Sequence, residues 1–318
     1  MVDMDFSPHP DAPALVIGGA GVDIIGRLKS EPHLGTSNPG KVRTSFGGVA
    51  RNVAHNLARL GQAVILISVV GDDPTGRQLL DQAAAAGVNV SAVLRSEARP
   101  TGAYLGIVNS RGALQFAVDD MRVISQLRPD YIRACADLFK AASLVFVDAN
   151  LPKDTLRTVM SMARKARLPI CADPTSSILA GRLRPYLSRL QLITPNSVEA
   201  AILFGQPFEA GKRQQALAAA KYLVSQGTRI AIITLAEFGV CYATSEISGH
   251  FPALRTEILD PTGAGDALAA TVIFALLNSI PLDDAVQLGV TAASLTLRYP
   301  GSVLPDLSLE KLYDHLVT

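Results

Sequence analysis

Short apolar runs alternate along this chain with stretches whose apolar residues recur roughly every three to four positions. Ala14–Ile17, Ala63–Val69, Ala103–Val108, Leu144–Val147, Pro169–Ala172, Gln191–Thr194 and Arg229–Thr234 read as strands. Between them Val49–Leu60 sets Ala50, Val53, Ala54 and Leu57 on one helical face. Arg51, Asn52, His55, Asn56 and Arg59 fill the other face, and Gly61 is a helix stop. Leu156–Ala166, Gln214–Ser225 and Ile124–Ala142 carry the same period, and the apolar run Ala267–Leu277 reads as a buried segment. This alternation predicts an α/β fold with a mostly parallel central sheet covered on both faces.

Two stretches break the pattern. Ile24–Phe46 is punctuated by Pro32, Gly35, Asn38, Pro39 and Gly40. Gly102–Val118 reads as two strands, Ala103–Val108 and Ala113–Val118, joined by the hairpin signal Asn109-Ser110-Arg111-Gly112. Together, about 24–46 and 102–120, they predict a small β appendage beside the main sheet. No repeat, low-complexity tract or long linker divides the chain, so one domain is expected over 1–318, with 1–13 as a loose tail.

Composition narrows the function classes. The chain has 318 residues, 48% hydrophobic and 18% charged, with 29 Lys+Arg against 28 Asp+Glu and a net charge of +1. That is globular composition. It argues against a general nucleic-acid or membrane-surface binder, which carries a basic excess. No apolar run reaches the roughly 18 residues of a membrane span. Asp3, Asp5 and Asp11, without a basic stretch, argue against a signal peptide. Cys135, Cys171 and Cys241 lie far apart, and the five histidines form no HxxxH or HxH cluster. A reduced cytoplasmic protein without a zinc site is expected.

Several motifs fail on inspection. Gly35-Thr-Ser-Asn-Pro-Gly40-Lys41-Val42 approaches a phosphate loop, but Val42 stands where Ser or Thr should bind magnesium and Pro39 sits inside the loop. Gly19-Ala20-Gly21 lacks the third glycine of a dinucleotide fingerprint, with Ile24 in its place. No GxSxG hydrolase elbow occurs.

Three segments survive. Asp260-Pro261-Thr262-Gly263-Ala264-Gly265-Asp266 runs into the apolar stretch that ends at Leu277. Uncovered N–H groups at a helix start, with the positive end of the dipole, suit a phosphate or a developing oxyanion. Asp266 at that entrance is placed to accept a proton from a substrate hydroxyl, for which ordinary carboxylate basicity suffices. Ser45-Phe46-Gly47-Gly48-Val49-Ala50-Arg51-Asn52 opens a helix with a glycine pair that allows close ligand approach. Thr194-Pro195-Asn196-Ser197-Val198-Glu199 places Asn196 and Glu199 on one helix face. That pair by itself reads first as a capping box, and alternatively as a place for hydrated magnesium.

In order and spacing these segments resemble the PfkB (ribokinase-like) carbohydrate and nucleoside kinases. Gly47–Gly61 is similar to that family's first signature, Asp260–Leu277 to its second, and Asn196-x-x-Glu199 lies between them. The likeness runs from about Leu15 to Leu307. It implies a three-layer α/β domain with a small β lid, ATP as donor and a hydroxyl as acceptor. It implies Asp266 as base and Gly263, Ala264 and Gly265 as the anion hole. Substrate would be held by Asp23, Gly47, Gly48, Asn52 and Asn150. ATP would be held by Asn196, Thr234, Gly239 and Gly265, with Asn196 and Glu199 organising magnesium through water. Asp260 and Thr262 match positions that often hold a monovalent cation such as potassium. Ala236 departs from the nucleotide loop's usual glycine.

Within the family the Ser45–Gly61 segment is most similar to pseudouridine kinases. So are Thr101–Tyr104, Asp119-Asp120-Met121, Asp148-Ala149-Asn150-Leu151 and Asp173-Pro174. The resemblance therefore implies the 5′-hydroxyl of pseudouridine as acceptor, with Asp120 or Tyr104 of the lid near the base. Ribose, a ketohexose or another nucleoside is the alternative, and a non-catalytic sugar- or nucleoside-binding regulator is a third reading. No nucleic-acid polymer or membrane partner is implied. A homodimer through lid edges and a monomer with a folded-over lid remain equal alternatives.

Overall fold

The computed structural model describes residues 11–110, 114–209 and 211–316. Most of the expected tail and part of the 109–112 turn lie outside those residues. In chain order the elements are β1 (Ala14–Ile17), β2 (Gly21–Leu28), β3 (Gly40–Gly47), α1 (Val49–Arg59), β4 (Val64–Gly71), α2 (Pro74–Ala85), β5 (Val88–Asn89) and β6 (Val93–Ser96). They continue as β7 (Gly102–Val108), β8 (Leu114–Asp120), α3 (Pro129–Ala134), α4 (Ala136–Ala141), β9 (Leu144–Asp148), α5 (Lys153–Lys165), β10 (Ile170–Asp173) and β11 (Leu192–Ile193). The rest are α6 (Ser197–Phe204), α7 (Arg213–Ser225), β12 (Ile230–Thr234), β13 (Val240–Ala243), β14 (Ser248–Phe251), α8 (Ala264–Leu277), α9 (Leu282–Leu297) and α10 (Leu309–Leu316).

Among the described residues the main sheet has ten strands in the order β14-β13-β12-β11-β10-β9-β1-β4-β5, with β6 also on β4. From β12 across to β5 neighbouring strands are parallel; β13 and β14 add an antiparallel edge. Strand alternation explains why these runs are apolar throughout. Leu15 and Ile17 pack on one face with Leu156, Val159 and Met160 of α5 and Ala216 and Leu223 of α7. Ala14 and Val16 pack on the other with Val53 and Leu57 of α1 and Leu268 and Val272 of α8. Both faces are therefore buried under helices, the three-layer arrangement expected.

The helical reading of Ile124–Ala142 is corrected. Arg122–Gln126 forms a 3₁₀ turn, and α3 and α4 follow as separate short helices. Pro129 has no N–H and its ring drives the preceding Arg128 to extended φ −88°, ψ 160°, so no helix passes through it.

The appendage is a four-stranded sheet, β3-β2-β7-β8. Its register places Asp23 beside Ser45 and Tyr104, and Tyr104 beside Asp119. Side chains alternate, so these residues, with Arg43, share one face. Leu105 and Val118 form a cross-strand pair on the other. The first face looks toward the carboxyl ends of the main parallel strands, where open α/β sheets place their ligands.

Candidate active site

A cavity of about 600 Å³ opens between the lid and those strand ends. Asp23, Gly48, Asn52, Asn150, Asn196, Glu199, Thr234, Thr262, Gly263, Gly265 and Asp266, eleven of the sequence-predicted residues, line it together. Gly47, Ala264, Gly239 and Asp260 do not. Gly47 is explained by packing: a Cβ there would run into the Asp23 carboxylate, so its absence makes room for a charged group. Gly239 lies with φ 87° against the Phe251–Ala253 backbone, so its glycine serves the β13 turn rather than the cavity. Ala264 is the first residue of α8, behind the lining glycines.

The Asp266 end is the reactive one. Gly263 enters α8 in the left-handed region (φ 79°), with no side chain capping the helix start. The first N–H groups of the helix have no intrahelical acceptor. A Cβ on Gly265 would meet only open space, so the cavity reaches the backbone there. Asp266, 9% exposed, sits in this first turn. Asn52 Nδ2 donates to its Oδ2 at 2.7 Å. Burial pushes the Asp266 carboxyl up to about 7, helped by the negative charges of Asp23, Asp148 and Glu199 and opposed by the Asn52 bond. Desolvation makes Asp266 a stronger base than the ordinary carboxylate that would suffice, which suits proton acceptance.

Asn52 joins several groups. Its Oδ1 accepts from Arg51 Nη1 at 2.9 Å and Ser302 Oγ at 3.2 Å while its amide holds Asp266. One amide hydrogen positions the base, and Asn52 lines the cavity, where the second can meet a ligand. Arg51, placed by periodicity on a polar outer face, is fully buried, as are His55 and Asn56. The helix α1 is covered on that side too, so its polar stripe is interior rather than solvated: Arg51 donates to Phe46 O, Asn52 and Gln82, while the His55 ring and the Asn56 amide are buried without hydrogen-bond partners among the described residues.

The acceptor end is rich in carboxylates. Burial raises Asp23 to about 6, with Arg51 opposing. Asp119 and Tyr104 line the same wall. Asp120, the residue expected near a base, instead points outward and pairs with Arg122 at 2.6 Å. One residue along a strand reverses the face, which is why Asp119 takes the place assigned to Asp120.

Sequence reasoning also missed Asp148 and Asp173 as functional side chains. Asp148, at the end of β9, accepts from Gly19 N at 2.7 Å, Ala50 N at 3.1 Å and Asn150 N at 3.0 Å, tying the segment after β1 and the start of α1 to the turn that carries Asn150 into the cavity. Asp173, at the end of β10, lines the cavity and accepts from Thr175 N at 2.7 Å and Thr194 Oγ1 at 3.2 Å. The readable signal was an Asp closing each of two apolar strands. Thr175 beside it holds φ 67°, strain of the kind that collects at functional sites.

Asn196 and Glu199 prove to be a capping box. Asn196 Oδ1 accepts from Val198 N and Glu199 N at 3.0 Å, and Glu199 Oε2 accepts from Asn196 N at 2.9 Å. Both still line the cavity. Glu199 is raised by burial, and Asp173 is raised by burial and by the charges of Glu199 and Asp266. Carboxylates that repel one another this way fit a hydrated divalent cation, which would relieve the repulsion. The donor set offered to a monovalent cation does not fit. Asp260 Oδ1 accepts from Thr262 N at 3.0 Å and Thr262 Oγ1 at 2.7 Å, and its Oδ2 is paired with the guanidinium of Arg43.

The likenesses to known proteins converge on this geometry. The family model for pfkB family carbohydrate kinases matches residues 13–308. The chain is 29% identical to a pseudouridine kinase of Escherichia coli over 93% of each chain. It is 32% identical to an uncharacterised sugar kinase of the same organism, over 91% of this chain and 79% of that one. An Arabidopsis thaliana ribokinase solved with ribose and ATP superposes with a TM-score of 0.84 at 20% identity, covering 96% of this chain and 99% of that one. A match across nearly the whole chain, on a fold whose strand ends hold an uncovered helix start and a buried Asp, leads to one conclusion: the chain belongs to the pfkB family of carbohydrate kinases, phosphotransferases that act on hydroxyl groups of sugars or nucleosides.

Proposed function

We propose that this protein is an ATP-dependent kinase that phosphorylates the 5′-hydroxyl of pseudouridine. The observation that carries the reaction type is Asp266, buried, raised to about 7 and seated beside uncovered N–H groups in a cavity of nucleoside size. Asp266 takes the hydroxyl proton as the acceptor oxygen bonds to the γ-phosphorus and the bond to the ADP oxygen breaks. The N–H groups at Gly263, Ala264 and Gly265 meet the charge on the transferred phosphoryl group. Magnesium, held by water to Asn196 and Glu199 with Asp173 adjacent, would supply charge neutralisation on the phosphates. Thr234, which lines the same cavity, would contact the nucleotide.

Support for pseudouridine comes from the lid and from the relatives. Pseudouridine carries a ring N–H that uridine lacks. Carboxylate and phenol oxygens at Asp23, Asp119 and Tyr104 supply acceptors on one wall of the cavity. The likeness to the Escherichia coli pseudouridine kinase extends over 93% of this chain. Another sugar or nucleoside acceptor remains the alternative within the same chemistry. One kinase domain over 1–318 is the organisation we infer. Among the described residues no helix is long and apolar enough to cross a membrane, and all three cysteines are free and buried. A cytoplasmic protein accords with both. A homodimer through the lid is supported by its outer face, where Val42 (74%), Phe116 (53%) and Val118 (58%) are exposed together.

The test is ATP consumption with magnesium across pseudouridine, uridine, adenosine, ribose and fructose. A kcat/KM for pseudouridine ~10²-fold above uridine supports the proposal. Preference for ribose or fructose overturns the acceptor and leaves Asp266 in place.

A further inference from the structure

We propose that Arg43, carried on lid strand β3, takes over at Asp260 the role a monovalent cation would have, so that this enzyme transfers phosphate without potassium and its anion-hole loop is tied to its lid. The inference rests on the kinase reading above and concerns the loop that builds the anion hole.

Asp260 is 2% exposed and stands three residues before Gly263. Its backbone is fixed from behind, with Asp260 N donating to Leu297 O at 3.3 Å and Leu259 N to the same oxygen at 2.9 Å. A carboxylate this buried needs a compensating positive charge. In this structure the charge is covalently part of the chain. Arg43 Nη2 pairs with Oδ2, and the Thr262 N–H and hydroxyl saturate Oδ1. The Arg43 side chain is 34% exposed, but its Nε is buried and its Nη2 is turned onto the carboxylate, so the charged end reaches the site from the lid. A metal cation entering here would lose the carboxylate's free oxygen and face a fixed positive charge a few ångströms away, which is repulsive at any interior dielectric.

The lid origin of Arg43 has its own consequence. Arg43 pairs with Ile25 in the β2–β3 ladder and lies on the same face as Asp23. Asp23 feels both partners of the ion pair: Asp260 raises its carboxyl and Arg43 lowers it. Moving the lid away therefore strips Asp260 of its counter-charge and alters the acceptor end together. Thr262, bonded to Asp260, leads directly into Gly263, so lid position and anion-hole geometry are joined through one carboxylate.

The experiment compares wild type, Arg43→Met and Arg43→Lys in potassium chloride and in tetramethylammonium chloride at equal ionic strength, reading both kcat and the melting temperature. We expect wild type and Arg43→Lys to be indifferent to the cation, within about twofold in kcat. Arg43→Met should lose at least ~10-fold in kcat in tetramethylammonium and recover with potassium, because the exposed need for charge at Asp260 is then met by the ion. Its melting temperature should rise with potassium in a saturable way, while that of wild type does not. Wild-type dependence on potassium, or an Arg43→Met protein whose melting temperature ignores it, overturns the inference. If no acceptor is phosphorylated at all, the kinase reading fails, and the melting curves still decide the Arg43 question.

Discussion

The main sheet and the lid sheet are built from similar residues and obey opposite rules. In the main sheet β1, β9 and β10 are buried at every position, because helices cover both faces. In the lid one face carries Asp23, Tyr104 and Asp119 toward the cavity, and the other leaves Val42, Phe116 and Val118 in solvent. The first sheet is a platform that holds Asp148, Asp173 and the α8 entrance in fixed relation. The second would supply discrimination in the proposed reaction, and it is held to the platform by a few polar links, Arg43 to Asp260 among them. Chemistry should therefore fail when the platform is altered, and selectivity or assembly when the lid is.

The largest effect expected is on the platform. Asp266→Asn should lower kcat by at least ~10³-fold with nucleoside binding retained, measured by turnover and by calorimetric titration. Retained turnover would remove Asp266 from its role. Next, on the lid's outer face, Phe116→Glu should weaken self-association by ~10²-fold or more, seen in sedimentation, by setting like charges against each other across a two-fold contact. An unchanged sedimentation coefficient across concentration, in wild type and variant alike, would assign that face another purpose. Asp119→Asn should reduce the preference for pseudouridine over uridine about tenfold while leaving the KM for ATP unchanged. A change in the ATP constant instead would blur the division between the two sheets.

A pH profile probes the platform more finely. Asp266 is raised to about 7, so it is protonated below that value and kcat/KM should fall as pH drops through it. Asn52 stabilises the charged form, so Asn52→Ala should move that acidic limb to higher pH. A limb that stays in place would show that another group sets it. The smallest effect expected is at Ala236, which holds φ 52° where a side chain is disfavoured. Ala236→Gly should stabilise the protein by about 0.5–1 kcal/mol in thermal unfolding with kcat unaltered.

Legibility in the sequence followed the same division. The strands β1, β4 and β9 to β12 and the helices α1, α5 and α7 were readable to within a few residues, because a doubly covered strand must be apolar throughout and an amphipathic helix must repeat; the short edge strands β5, β6, β13 and β14 were not. Ile124–Ala142 was not, since the Pro129 break overrides a helical period. Gly47 and Gly239 look like ligand glycines in sequence, yet both are glycine because neighbouring atoms fill the Cβ position. The Asp119–Asp120 pair could not be sorted, as only strand register decides which side chain turns inward.

Residue order alone determined the α/β class, the glycine-led helix starts, the shared face of Asn196 and Glu199 and the presence of an Asp at the α8 entrance. These are local consequences of periodicity, capping and backbone freedom. Tertiary structure alone decided the rest: that Asp266 lies in a desolvated cluster and titrates near neutrality, that Arg51 is interior, that Asp148 and Asp173 belong to the site, and that Arg43 reaches Asp260. Each depends on a charge brought close by segments far apart in the chain, and electrostatic energy is set by distance and burial rather than by order along the backbone.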